Sequence, residues 1–126
     1  DAVVVIGRGC TLGGLTIRCS KGIEIGDHVM TATSLIQDSF FVNQDRAMSL
    51  SINELIPEFE AISIGNNVWL AMGSAVMGGC IIGNDCVVAA GAWCFDSEIN
   101  DYSLAIGNPV RKALPIERLQ RLKGIS

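Results

Sequence analysis

Residues 64–94 read IGNNVWLAMGSAVMGGCIIGNDCVVAAGAWC. Steps of six from Ile64 land on Leu70, Val76, Ile82, Val88 and Cys94, all apolar. Four residues after the first five of these stand Val68, Ser74, Cys80, Cys86 and Ala92, all small or modest in volume. A helix repeats every 3.6 residues and a strand every two, so a period of six belongs to neither. It is the hexapeptide signature of a parallel β-helix, in which each hexad supplies one short strand and one corner. The inward phase also explains the cysteines. Cys80, Cys86 and Cys94 fall on inward positions, and Cys10 and Cys19 fall in the same two phases of the earlier repeats. Such cysteines act as small core hydrophobes.

A weaker form of the repeat covers residues 3–35. Ile6 and Leu12 are anchors, then the phase slips by one to Cys19, Ile25 and Thr31. The matching inward positions are Cys10, Thr16, Ile23, Val29 and Leu35, and the slip turns Arg18 outward. Three hexads make a coil, so the two blocks predict between three and four coils. Between them, residues 37–60 (QDSFFVNQDRAMSLSINELIPEFE) break the period. This insertion is too apolar for disorder, and an ordered insertion in a solenoid is usually functional. Ser51 with Glu54 suggests a capped turn of helix inside it. After Cys94 an irregular connection leads to a last extended piece, Ser103 to Ile106. A C-terminal helix is expected over 115–126, with Pro115 in its first turn and an apolar stripe at Ile116, Leu119 and Leu122. The domain reading is therefore a β-helix over 1–114 carrying the 37–60 insertion, followed by that helix.

Composition narrows the partners. The net charge is −4, and the nine Lys and Arg residues form no stripe before residue 111, which argues against nucleic acid. No apolar run reaches about 18 residues, so no membrane span is expected and the chain should be soluble. The five cysteines are odd in number and show no CxxC or Cys/His metal spacing, which points to reduced thiols, no metal and a cytoplasmic protein. The chain opens on Asp1 close to a repeat, and is expected to be a piece of a longer one. The flat apolar faces of a solenoid suit burial in a homo-oligomer.

The run IGNNVWLAMGSAVMGGCIIGNDCVVAAGAW, the later AIGNPVRK and the loop segment DSFFVNQD together resemble the hexapeptide-repeat acyltransferases, from Ile6 to Lys112. Within that family the likeness is nearest to acetyltransferases of sugars and surface polysaccharides. The resemblance implies a left-handed β-helix, acetyl-CoA as co-substrate, and a homotrimer with an active site in each cleft between subunits. It implies that the pantetheine arm lies along the coil edge at Ala71, Gly73, Ala89 and Gly91, where small residues let a narrow chain approach the backbone. Trp69 matches the tryptophan of the family's VWIG, and either lines this region or packs between subunits. Arg111 and Lys112 follow the GNP and either meet the cofactor's phosphates or are solvated basic residues.

The insertion departs from the family pattern. Relatives tend to carry DSDFHP, whose histidine is the general base; aligned on Asp38-Ser39, this chain has Val42 in its place. A second departure sets Asp96 against a family lysine. The remaining candidates for proton transfer or acceptor orientation are Asp38, Asp45 and His28, the only histidine. Asp38 and Asp45 act on an acceptor or else bond to turns; His28 sits at an outward corner, facing either solvent or a cleft. Two functions follow. One is acetyl transfer from acetyl-CoA to a sugar hydroxyl or amine, the amine being favoured if no base is present. The other is a non-catalytic trimer that retains cofactor binding. A zinc-dependent carbonic anhydrase on the same solenoid fails, since it needs three histidines.

Overall fold

The computed structural model describes residues 2–40 and 58–116. They wind as a parallel β-solenoid. The first coil holds β1 (Val3–Ile6), β2 (Thr11–Gly13) and β3 (Thr16–Arg18). The second holds β4 (Gly22–Ile25), β5 (Met30–Ala32) and β6 (Leu35–Gln37). An antiparallel ribbon of β7 (Ser39–Phe40) and β8 (Glu58–Phe59) leaves and re-enters the solenoid at the insertion. The third coil holds β9 (Ile62–Ile64), β10 (Trp69–Leu70) and β11 (Ala75–Met77), the fourth β12 (Ile81–Ile82), β13 (Val87–Val88) and β14 (Trp93–Cys94). β15 (Glu98–Ile99) and β16 (Ser103–Gly107) begin another turn, and β17 (Val110–Pro115) folds back antiparallel on β16. The first face of the solenoid is β1-β4-β9-β12-β15, the second β2-β5-β10-β13-β16 with β17 at its edge, and the third β3-β6-β11-β14. This all-β arrangement is consistent with the left-handed β-helix that the repeats imply. It has about one coil more than the hexad count suggested, because the regular repeat extends to β15 and β16.

The hexads work because strands this short alternate in and out only once or twice before the chain must turn. Each anchor therefore stacks on its equivalent one coil away. Ile25, Ile64, Ile82 and Ile99 are successive partners on the first face. Thr31, Leu70, Val88 and Ala105 are partners on the second, and Ile36, Val76 and Cys94 on the third. All of these are buried. At roughly 1.5–3 kcal/mol for each large aliphatic side chain, the columns carry most of the favourable free energy of the fold. Cys80, Cys86 and Cys94 lie in this core as expected. Burial pushes all three thiols up, Cys94 to about 12, so none supplies a thiolate near neutral pH.

The corner between the first and second faces shows why the text Ile-Gly-Asx recurs. Asp27 Oδ1 accepts from the Arg8 N–H (2.8 Å), Asn66 Oδ1 from Asp27, Asn84 Oδ1 from Asn66 and Asp101 Oδ1 from Asn84. Each Asx side chain thus reaches back one coil and satisfies a corner amide that the strand ladder leaves over. The glycine before it must have no Cβ. A Cβ on Gly65 would lie 2.5 Å from Asn84 Oδ1 and 2.8 Å from the carbonyl carbon of Gly83. Gly65→Ala is therefore expected to cost about 1–3 kcal/mol, as overpacking does. Gly22→Ala, where an added Cβ meets nothing within 4 Å, should be near neutral in the same urea titration. Equal midpoints for the two variants would remove the ladder's claimed role.

The phase slip of the first repeats differs from the expected lengthened step from Leu12 to Cys19: the third-face anchor is Ile17 instead. Ile17 pairs with Ile36 and Ile36 with Val76, so on the third face the anchor comes five residues after Leu12 and Thr31. The inward partners are consequently Leu15 and Ser34. Thr16 and Leu35, expected inside, lie on the outer wall of a groove over the third face. Ser34 is buried because its hydroxyl reaches Leu70 O (3.3 Å) and the hydroxyl of Ser74 (3.2 Å). At the other end, Ser103–Ile106 is extended as expected. Pro115 closes β17 opposite Ser103, and beyond Ile116 the expected C-terminal helix lies outside the described residues. The turn suggested by Ser51 and Glu54 also lies outside them.

Candidate functional site

Asp38 lies at the root of the insertion, immediately before β7. Its side chain is 0% exposed, and both oxygens are committed. Oδ1 accepts from the Ser20 N–H (2.8 Å), and Oδ2 from the N–H groups of Lys21 (2.7 Å) and Gly22 (2.9 Å). Its backbone N–H donates to Arg18 O, and its carbonyl accepts from the Glu60 N–H, which joins the outgoing and returning arms of the insertion. Burial alone raises its pKa, but the amides of Lys21, Ser20 and Gly22 with the Cys19 thiol outweigh that and hold it below the ordinary carboxyl value. A sealed, fully bonded carboxylate cannot reach an acceptor or take its proton. Of the two expectations for Asp38, action on an acceptor or bonding to a turn, these hydrogen bonds favour the turn anchor. Asp45 and Val42 lie outside the described residues.

His28 stands at the corner between the first and second faces. Its backbone has a φ of 57°, and its N–H donates to Arg8 O at 2.7 Å. The imidazole lies over Gly9, where an added Cβ would come 2.5 Å from Nδ1. The side chain is exposed and lines an open groove of about 600 Å³ with Met30, Asn67, Trp69, Asp85 and Tyr102. Trp69 begins β10 and points outward, 48% exposed. His28 and Trp69, far apart in the chain, therefore share one groove. Asp38 sits at a different corner and takes no part in it.

Ala71, Gly73, Ala89 and Gly91 come together at the corner between the second and third faces, on consecutive coils. Gly73 and Gly91 have φ values of 73° and 70°, and a Cβ on Gly91 would meet nothing within 4 Å, so the backbone is open to a narrow ligand. Their four N–H groups are already spent, on Val88 O, Thr33 O, Ala105 O and Met72 O. The uncommitted donors at this corner are instead the N–H groups of Met72 and Ala90, neither of which has a partner among the described residues. Met72 is 67% exposed. Backbone donors carry no side-chain signature, which is why the small residues were readable and these amides were not. Trp69 and Ala71 are two residues apart, roughly 7 Å along the strand, so the groove and this corner border the same face. Arg111 and Lys112 lie in β17, with Lys112 opposite Ile106.

Asn67, Asp85 and Tyr102 were not singled out by sequence reasoning. They occupy the position of His28 in later coils, and the Asn67 side-chain amide donates to Asp85 Oδ1 at 2.7 Å. Their signal is the residue after Ile-Gly-Asn at 64–66 and 82–84 and after Ile-Asn-Asp at 99–101, visible only once the coils are in register. Among the described residues no group of three or more His, Cys, Asp or Glu side chains is gathered to hold a metal ion, and no helix is long and apolar enough to cross a membrane.

Comparison with known proteins follows this geometry. Residues 61–95 match the bacterial transferase hexapeptide family (six repeats). No curated protein matches. Among solved structures, a hexapeptide-repeat-containing acetyltransferase from Vibrio cholerae is similar with a TM-score of 0.71 at 21% identity, over 88% of this chain and 61% of that one. The polySia-specific acetyltransferase NeuO is similar with a TM-score of 0.73 at 22% identity, over 90% of this chain and 48% of that one. AntD, an N-acyltransferase from Bacillus cereus solved with dTDP-4-amino-4,6-dideoxyglucose and coenzyme A, gives 0.75 at 17% identity, over 99% and 72%. The chain thus spans 61% and 48% of the length of the first two. At these identities the likeness establishes the hexapeptide solenoid fold.

Proposed function

We propose that this chain is an acyltransferase that moves an acetyl group from acetyl-CoA to a hydroxyl or amine of a sugar-type acceptor. The observation that carries this reading is the open second-to-third-face corner with its stacked small residues and two uncommitted amides, while the groove holding the one histidine lies at the other edge of the same face. The pantetheine arm is assigned to the corner at Ala71, Gly73, Ala89 and Gly91. Arg111 and Lys112 are proposed to meet the phosphates of the donor. The Met72 N–H, without a partner among the described residues, is the donor suited to a developing oxyanion in a preorganised position.

The acceptor nucleophile attacks the acetyl carbonyl carbon and its proton passes to the His28 imidazole of a neighbouring subunit, because within one chain His28 and Met72 stand at opposite edges of the second face. The tetrahedral adduct then breaks its C–S bond, and the thiolate takes a proton to leave as coenzyme A. His28 replaces the loop histidine that Val42 removes, because Asp38 is sealed. A homotrimer is proposed as the working form, with the groove of one subunit facing the small-residue corner of the next across an open cleft, and polysaccharide modification in the cytoplasm as its setting. The second reading, a trimer that binds the donor without turnover, is favoured by Val42 alone. Steady-state assays with acetyl-CoA and a panel of methyl pyranosides and methyl 2-amino-pyranosides separate the two. Release of coenzyme A thiol matched by acetylated product is expected. Saturable acetyl-CoA binding with no product on any acceptor would favour the non-catalytic reading.

A further inference from the structure

One residue from each successive coil stacks at the corner between the first and second faces: Gly9, His28, Asn67, Asp85 and Tyr102, with φ of 68°, 57°, 55°, 57° and 58°. Glycine is at ease in this left-handed conformation, and Asn and Asp tolerate it best among other residues. A tyrosine there costs on the order of 1–2 kcal/mol. Packing does not recover that cost, since Tyr102 is 58% exposed. Its ring stands in the groove with Trp69, itself about half exposed although burying an indole would stabilise the fold. Two large aromatic surfaces are thus held open on one groove, one of them at a conformational cost. Such an outlier, unrewarded in the fold, points to a ligand.

The polar groups of the groove say which kind. Asn67 uses its amide N–H on Asp85 Oδ1, which leaves Asn67 Oδ1 and Asp85 Oδ2 as acceptors without partners among the described residues. Among the described residues no lysine or arginine lines the groove. A ligand here is therefore expected to lay an apolar face on the rings and to direct hydrogen-bond donors to the Asn67–Asp85 pair, where the Asp85 carboxylate disfavours an anionic group. That description fits a neutral or amino pyranose. We propose that Tyr102 and Trp69 hold the C–H face of a pyranose ring, with its hydroxyl or amino groups directed to the Asn67–Asp85 pair. The acceptor of the proposed transferase is then a pyranose bound at this corner, a conclusion that rests on the acetyl-transfer reading only for the word acceptor.

Tyr102→Asn tests this cleanly, because asparagine accepts the corner conformation and the variant should melt no lower than the parent. Binding of methyl β-glucosaminide and methyl β-galactoside is followed by saturation-transfer NMR and by Trp69 fluorescence, the latter in a Trp93→Phe background. Saturable binding to the parent is expected, weakened on the order of tenfold in Tyr102→Asn, with the acetyl-CoA Kd unchanged. Equal sugar affinity in parent and variant overturns the proposal. So does a parent that binds acetyl-CoA but neither sugar, or a variant that loses only acetyl-CoA affinity or only self-association. A parent that binds the sugars but not acetyl-CoA supports the sugar site and instead defeats the transferase reading.

Discussion

His28→Asn is expected to lower kcat by about 10²–10⁴-fold, the usual contribution of a positioned general base. Asparagine is chosen because it accepts the backbone φ of 57° that His28 adopts, so loss of activity cannot be laid to a strained corner. The Kd for acetyl-CoA should not move, since the small-residue corner is at the opposite edge of the second face. Rapid-quench single turnovers with the donor saturating would read the chemical step directly. A rate within twofold of the parent would show that no base acts from this groove. The reaction would then be limited to acceptors whose amine is nucleophilic unaided, a choice that Val42 leaves open. The prediction is large because the chain has no second histidine to take over.

Asp38→Asn is expected to act on folding instead. The carboxylate serves three backbone amides while fully buried, and an amide side chain would set its own N–H against at least one of them. Hydrogen bonds to a charged group are each worth about 1.5–3 kcal/mol and are not additive, so a loss on the order of 3 kcal/mol is expected. For a chain of this length that lowers Tm by roughly 10 °C. The pH dependence has a definite sign. The folded-state pKa of Asp38 lies below the ordinary value of 3.8, so its stabilisation is complete above that value and is lost as pH falls through the lower folded value. The difference between parent and variant stabilities, measured by urea titration from pH 7 to pH 2.5, should therefore hold down to about pH 4 and shrink only below it. A constant difference across that range would mean the carboxylate's charge is not what holds the turn. Cys19, whose thiol is pushed up by burial and by Asp38, stays protonated throughout and does not confuse the comparison.

Much of the fold was legible because a solenoid core is written in one dimension. Ile64, Leu70, Val76, Ile82, Val88 and Cys94 are spaced by six because each coil must place its anchors above those of the last. The slip near Leu12 was misplaced by adjacent choices. Leu15, Ile17, Leu35 and Ile36 offer apolar side chains on both sides of Thr16 and Ser34, and only coil stacking decides which of them point inward. The Ile-Gly-Asx text was visible, but its meaning as a ladder of acceptors for the previous coil required the hydrogen bonds. The candidate site was legible in parts. Trp69 and His28 could be named, yet their shared groove arises only when coils two and three are laid side by side. Tyr102 carried no motif at all; its oddity is a backbone angle combined with exposure. Asp38 shows the opposite failure, since a motif-like carboxylate turned out to be consumed by the turn at 20–22.

The central claim is that a donor thioester lies along the second-to-third-face corner. The most direct test is a titration of acetyl-CoA followed by backbone amide chemical shifts in the ¹⁵N-labelled protein. Saturable shifts are predicted to cluster on Met72, Gly73, Ala90 and Gly91, and to reach Trp69 at the edge of the groove. No saturable shift, or shifts confined to the first face, would contradict it.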